Sequence, residues 1–166
     1  MRAFLLLTLI SVTVFGQETG QGNKKPRTSE DYQVRTLKEI FAMQPDADDL
    51  RDKQDRLLVT RDILPSKVTV QYSGSSRSIS TEKKEIIRQW AMRYAGSIEH
   101  YTEPYQTEVM FEENGVSYWL PVQKNSELGK GKFKKGESVT LHLIRMGASI
   151  SGEQYDWVFL VEASTS

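Results

Sequence analysis

The dipeptide Asn114-Gly115 constrains the fold of this chain more than any other feature of its sequence. Both residues tolerate a positive φ, so the pair favours a two-residue type I′ turn between antiparallel strands. The flanking segments, 108–113 and 116–122, are rich in aromatic and β-branched residues. The sequence therefore predicts a β-hairpin with three central cross-strand pairs: Val109 with Leu120, Met110 with Trp119, and Phe111 with Tyr118.

Upstream of this hairpin, alternation of apolar and polar residues predicts another strand. Val68, Val70 and Tyr72 alternate with polar residues, a pattern typical of a strand with one buried face. Gly74 to Ser76 consists of turn-forming residues. We therefore expect the strand to turn there and a short second strand to return over 77–80.

Two more strands are predicted towards the C-terminus, over 138–146 and 155–162, joined across Gly147 to Gly152. The run Trp157-Val158-Phe159-Leu160-Val161 is apolar at every position. Such a run is typical of a central strand or of one that is covered on both faces.

One helix is well defined by the sequence between Ser80 and Gly96. Ser80 or Thr81 is suited to the N-cap, and Gly96 is suited to the C-terminal end. The apolar stripe of this helix consists of Ile86, Ile87, Trp90, Ala91 and Tyr94.

The N-terminal part of the chain is also predicted to be helical. Glu30 and Asp31 would oppose the dipole of a helix that begins at Ser29. Helical spacing relates the apolar residues Val34, Leu37, Ile40 and Phe41, and Pro45 would end the helix. The densely charged segment 46–56 is expected to form a second, largely solvated helix.

Together these elements predict an α+β fold. We expect N-terminal helices, followed by a bent antiparallel sheet or a small OB-like or SH3-like barrel with one inserted helix. A flat sheet with helices on one face is the alternative. The helical segment is expected to cover residues 29–60, and the α+β domain residues 61–166, within a chain long enough for one core.

The N-terminus has the pattern of a cleavable signal peptide. Arg2 precedes an apolar run from Phe4 to Phe15, which is shorter than the roughly 20 residues that a membrane-spanning helix needs. We expect cleavage after Gly16 and a flexible leader over 17–28. The mature chain would then contain no transmembrane segment and would act in the periplasm or outside the cell.

The chain contains no cysteine and no Asn-x-Ser/Thr site, which fits an exported bacterial protein better than an animal one. Four blocks resemble those of uncharacterised exported bacterial proteins, over roughly residues 62 to 162: Ile63-Leu64-Pro65-Ser66, Tyr118-Trp119-Leu120-Pro121-Val122-Gln123, Lys135-Gly136-Glu137 and Trp157-Val158-Phe159-Leu160-Val161. The resemblance implies a bacterial envelope setting and no known activity.

The composition bears on which ligands to expect. The chain carries 22 Lys and Arg against 22 Asp and Glu, so any anion binding should be local rather than spread over the surface. The only histidines, His100 and His142, are not at ligand spacing, and no thiol is available. The sequence therefore predicts neither a metal site nor a cofactor.

Catalytic patterns are weak. Ser80-Thr81-Glu82-Lys83 matches the Ser-x-x-Lys motif of penicillin-recognising enzymes, but their companion motifs are missing. Ser80 is therefore interpreted as a helix cap. The carboxylates of Glu112, Glu113 and Glu162 leave open a small hydrolase, although we expect no catalytic residues and a non-enzymatic role.

The first candidate binding site is the segment 124–135, here called the lysine loop. It carries four amines around one aromatic ring: Lys130, Lys132, Lys134 and Lys135 around Phe133. Such a loop could hold phosphates or an acidic glycan. We favour the simpler interpretation, a solubilising turn that leads into the strand containing Val139.

The second candidate is the side of the hairpin that carries Met110 and Trp119, with Glu108, Glu112 and Ser117 beside them; we call it the hairpin face. We favour a structure in which the Trp90 helix packs there and makes Met110 and Trp119 core residues. If the helix packs elsewhere, the face is an apolar patch rimmed by charge, which is a common protein-binding surface.

The sequence thus favours an exported, non-enzymatic interaction or binding domain of the cell envelope, with a protein as the expected partner. The alternative is an OB-like module that binds an anionic polymer, either nucleic acid or acidic glycan, through the lysine loop.

Overall fold

The computed structural model of the chain describes residues 27–46 and 56–165. The predicted signal peptide, nearly all of the predicted leader and the interior of the charged segment lie outside these residues. Within the described parts, seven strands form one sheet. They are β1 Gln33–Val34, β2 Leu57–Val59, β3 Ser66–Ser78, β4 Thr107–Glu113, β5 Val116–Val122, β6 Ser138–Ser151 and β7 Gln154–Thr165.

Five of these strands close into a barrel in the order β3–β4–β5–β7–β6–β3. Four of the five pairings are antiparallel, whereas β5 and β7 run parallel and pair through Val122 and Val161. The ring of Phe41 also bridges these two strands, with ring centroids 5.2 Å from Tyr118 and 5.3 Å from Phe159. The α+β class and the small barrel are confirmed, and the flat sheet is wrong.

β3 is one continuous strand of 13 residues rather than two strands joined by a turn. Residues up to Gln71 pair with β6, and residues from Gln71 to Ser78 pair with β4. Gly74, with a φ of 83°, lies where the register with β4 shifts, and it forms a bulge. The predicted turn at Gly74 to Ser76 is wrong. The local sequence does not distinguish the two cases, because glycine is favoured both in a turn and in a β-bulge.

The predicted helix from Ser29 is wrong as well. Ser29–Asp31 is a 3-10 turn, β1 pairs in parallel with β3, and α1 covers only Leu37–Phe41. Thr36 begins α1 with a reciprocal cap, because its side chain accepts from the Glu39 N–H while the Glu39 carboxylate accepts from the Thr36 N–H. Val34, which helical spacing placed in the core, is exposed. The segment Leu57–Val59, predicted within the helical region, is strand β2.

The helix predicted after Ser80 is confirmed. α2 covers Thr81–Trp90, and the Ser80 side chain accepts from the Lys83 N–H at 3.2 Å. One π-helical turn, Ala91–Ala95, continues the helix until Gly96 ends it with a φ of 71°. The short helix α3, Glu99–Thr102, leads to β4. Among the residues described, no helix is both long enough and apolar enough to cross a membrane.

β6 continues through Gly147, where the sequence predicts a loop. The register between β6 and β7 shifts between Arg145 and Gly147. A Cβ at position 147 would overlap the carbonyl oxygen of Leu58. Glycine is therefore required here because β2, which pairs antiparallel with β6, brings its backbone very close to this position, not because the chain turns.

Apolar side chains form two layers. The inner layer fills the barrel and includes Phe111, Leu120, Leu141, Trp157 and Phe159. The outer layer lies between α2 and the outward side of β6 and β7, and includes Ile86, Ile87, Trp90, Ile144, Met146, Val158 and Leu160. Residues 157–161 contribute alternately to both layers and are buried throughout. Of the two predicted alternatives, a central strand or one covered on both faces, the structure has the strand covered on both faces.

Candidate functional site

The β4–β5 hairpin has the predicted register, with Met110 opposite Trp119 and Val109 opposite Leu120. Asn114 and Gly115 have φ angles of 52° and 80°, as a type I′ turn requires. Val109 and Leu120 are buried in the barrel. Because side chains alternate along a strand, Met110 and Trp119 lie on the outside of the barrel.

α2 does not cover this outer side. It packs against β6, β2 and β7, and the indole N–H of Trp90 donates to the Thr60 carbonyl at 3.0 Å within the outer layer. Met110 and Trp119 are consequently half-buried. The expectation that the Trp90 helix makes them core residues is wrong, and the structure has the alternative that the sequence left open.

A buried carboxylate lies beside Met110 on the hairpin face. Glu108, expected at a charged rim, is fully buried. It accepts from Arg77 Nε at 2.8 Å and from Lys83 Nζ at 2.7 Å. The Lys83 side chain is 8% exposed, whereas that of Arg77 is 49% exposed. The two cations compensate the desolvation of the carboxylate, and they tie β3, β4 and α2 together at one point.

Arg77 also covers one side of Trp119. Its guanidinium carbon lies 4.2 Å from the centre of the indole ring, within the range of a cation–π contact. The hairpin face is therefore a fixed aromatic ring with a guanidinium on one side and Met110 beside it in the cross-strand pair.

Sequence reasoning missed Arg77 and Lys83 as members of this site. Arg77 lies directly opposite Glu108 in the β3–β4 register. The sequence prediction did not pair these two residues, because it placed a turn at Gly74 to Ser76 and Arg77 in a separate returning strand. The sequence did single out Lys83, but only as the fourth residue of a Ser-x-x-Lys motif. In the structure its amine contacts Glu108, while Ser80 caps α2, so the pair does not form an activated serine.

The three carboxylates considered for a hydrolase have separate environments. Glu113 accepts from the Leu37 and Lys38 N–H groups at 2.9 and 3.0 Å and so caps α1. Glu162 accepts from Arg27 at 2.7 Å and from the Tyr32 hydroxyl. Burial and this carboxylate raise the pKa of Tyr32 to about 12, so Tyr32 remains a donor at neutral pH. Glu112 is exposed.

The lysine loop is anchored to the barrel from within. Leu128 is buried and Phe133 packs with its ring centroid 6.4 Å from that of Tyr72. A Cβ on Gly129 would overlap the carbonyl oxygen of Gln123, which explains the glycine at this position. Phe133 is thus a packing residue rather than an open stacking platform. The four lysines are exposed, and Lys132 pairs with Glu127 at 3.2 Å.

Within residues 27–46 and 56–165, no group of three or more histidine, cysteine, aspartate or glutamate side chains could hold a metal ion. The two histidines lie in different elements. His100 is in α3, whereas His142 is buried on β6, with its Nε2 3.3 Å from Ser29 Oγ. No protein-family model, curated protein or solved structure matches the chain.

Proposed function

We propose that this chain is a non-enzymatic binding domain, exported to the bacterial cell envelope, which binds a protein partner through the hairpin face. The observation that carries the proposal is Trp119, a half-buried indole that α2 leaves uncovered. Tryptophan and arginine are the side chains most enriched at the energetic centres of protein interfaces. Because Arg77 lies on β3 and Trp119 on β5, and both strands pair with β4, the surface exists before a partner arrives.

The strand order supports an OB-like form of the barrel. The first barrel strand, β3, pairs with both the second and the fourth, and the third runs parallel to the fifth. OB folds bind oligonucleotides and oligosaccharides on the face of the second and third strands, which here are β4 and β5. The hairpin face occupies that location, although the fold alone does not specify the ligand.

Export is proposed from the first 16 residues of the sequence. The test is to express the full chain in a bacterial host and to determine the N-terminus of the protein in the periplasm and the medium by mass spectrometry. A mature chain that begins at Gln17 is expected. Uncleaved protein that remains in the cytoplasm is the result that would count against export.

Binding through the hairpin face is tested by cross-linking and capture from envelope extract with the tagged full chain. Trp119→Ser should reduce recovery of a specific partner at least about tenfold, as loss of a central interface aromatic does. The matched control is Met92→Ser, because Met92 is an apolar residue outside the hairpin face, 49% exposed on the π-helical turn. If both variants recover the partner equally, the hairpin face is not the binding site.

The lysine loop carries a second candidate function, the binding of an anionic polymer. The observation in its favour is that four exposed amines are held on a loop anchored by Leu128 and Phe133. Affinity for heparin or an oligonucleotide should then fall steeply as salt rises. Replacing the four lysines by glutamine should abolish this binding, whereas Trp119→Ser should leave it unchanged; the opposite pattern would exclude the loop.

A further inference from the structure

Arg77 is held in a fixed orientation by two contacts on the hairpin face. Its Nε donates to the fully buried carboxylate of Glu108, and its guanidinium carbon lies 4.2 Å from the centre of the Trp119 ring. These contacts fix both the direction and the plane of the guanidinium group. Among residues 27–46 and 56–165, no acceptor forms a hydrogen bond with Nη1 or Nη2, and half of the side chain is exposed.

The charge around Glu108 is unbalanced. Two cations, Arg77 and Lys83, face one carboxylate. The next carboxylate, Asp156, lies 4.0 Å from Lys83 Nζ and is 62% exposed, so water and salt weaken its contribution. Since Lys83 is buried and Arg77 is not, the surplus positive charge reaches the surface at the two Nη groups of Arg77.

A guanidinium group with both Nη donors available binds a carboxylate through two parallel hydrogen bonds. Its fixed orientation lowers the entropic cost of forming them. From this geometry we infer that the protein partner presents a Glu or Asp side chain to Arg77 and an adjacent aliphatic residue to Trp119 and Met110. This inference rests on the proposed function and specifies the partner at the same face.

The surroundings favour a single carboxylate over a polyanion. Glu112 is exposed further along the same face of β4. A polymer with a charge on every unit would place another anion against this carboxylate. A peptide with one acidic residue between aliphatic ones places its only charge at Arg77 and its apolar atoms on the indole.

The test is a titration of the exported chain with two capped peptides, acetyl-Leu-Glu-Leu-amide and acetyl-Leu-Gln-Leu-amide. Chemical shifts of the Trp119 indole N–H and the Arg77 Nε–H report binding. The Glu peptide should bind at least about fivefold more tightly than the Gln peptide. Arg77→Gln should remove this preference, and Arg77→Lys should keep only part of it because an ammonium group cannot form the bidentate pair. Thermal unfolding verifies that both variants are folded.

Other results would overturn the inference. They are equal affinity for the two peptides, no shift with either peptide, or shifts caused by a short oligothymidylate instead. The capture experiment separates this inference from the proposed function. If Arg77→Gln recovers the partner as well as wild type does, while Trp119→Ser does not, binding through the hairpin face is supported and recognition of a carboxylate by Arg77 is contradicted. If neither variant loses the partner, the proposed function fails.

Discussion

Two outer faces of one barrel are completed in different ways. The outward side of β6 and β7 carries Ile144, Met146, Val158 and Leu160, and α2 covers it with Ile86, Ile87 and Trp90. The outward side of β4 and β5 carries Met110 and Trp119, and the Arg77–Glu108–Lys83 group stabilises its edge. Apolar side chains of α2 cover the face formed by β6 and β7. On the face formed by β4 and β5, the charged group stabilises the edge and the Trp119 ring stays partly accessible.

The difference shows how one short helix serves both faces. The apolar stripe of α2 packs on β6, while Lys83 in its first turn donates to Glu108 on β4. Apolar burial provides stability that depends on covered area. A buried ion pair adds little net stability, but it strongly penalises loss of either partner. Substitutions on the two faces should therefore lower the free energy of unfolding by different amounts.

The largest effect is expected for Glu108→Gln. This change leaves Lys83 buried without a full counter-charge and releases Arg77, so the free energy of unfolding should fall by about 3–5 kcal/mol. Urea unfolding at neutral pH measures this loss of stability. Glu112→Gln is the control on the same strand, because Glu112 is exposed and should change stability by less than about 0.5 kcal/mol. Similar values for both variants would mean that Glu108 is solvated.

A comparison of Ile86→Ala with Met110→Ala tests the covered face against the open one. Ile86 is fully buried in the outer layer, so its truncation should cost about 3 kcal/mol from lost transfer energy and the cavity left behind. Met110 is half-buried, and its truncation should cost about 1 kcal/mol. Equal losses in urea unfolding would show that a covering layer also lies over Met110 in solution.

Gly147→Ala tests the close approach of β2 to its antiparallel neighbour β6. A methyl group at this position overlaps the Leu58 carbonyl oxygen and also meets Ile86. β2 must move away, at an expected cost of about 2 kcal/mol. Ser149→Ala, on the same strand, is the control and should have little effect. Hydrogen exchange of the Thr60 N–H, which donates to the Met146 carbonyl, should accelerate only in the glycine variant.

The smallest effect is expected for Ser80→Ala at the start of α2. Its hydroxyl caps the Lys83 N–H, and loss of an N-cap costs about 1 kcal/mol. Ser78→Ala removes an exposed hydroxyl from the end of β3 and serves as the control. Because α2 contributes to both faces, Ser80→Ala should also weaken binding at the hairpin face slightly. A loss in stability equal to that of the control would contradict the capping role.

Local signals in the sequence determined several elements of this protein. Asn114-Gly115 determined the hairpin and its register, since few residues other than asparagine and glycine adopt positive φ at low cost. Ser80, the apolar stripe and Gly96 determined α2, and continuous apolar character identified residues 157–161 as a strand covered on both faces. Each of these signals lies within a few residues of the element that it specifies.

Tertiary structure alone decided the rest. A glycine at position 74 fits a turn or a bulge equally well, and pairing of β3 with both β4 and β6 selects the bulge. Val34 follows the helical spacing of Leu37, Ile40 and Phe41, yet pairing with β3 places it in a strand. The face that α2 covers depends on where its stripe finds apolar neighbours, and that choice left Trp119 accessible and buried Glu108. These outcomes depend on contacts between residues distant in sequence, which periodicity along one segment does not encode.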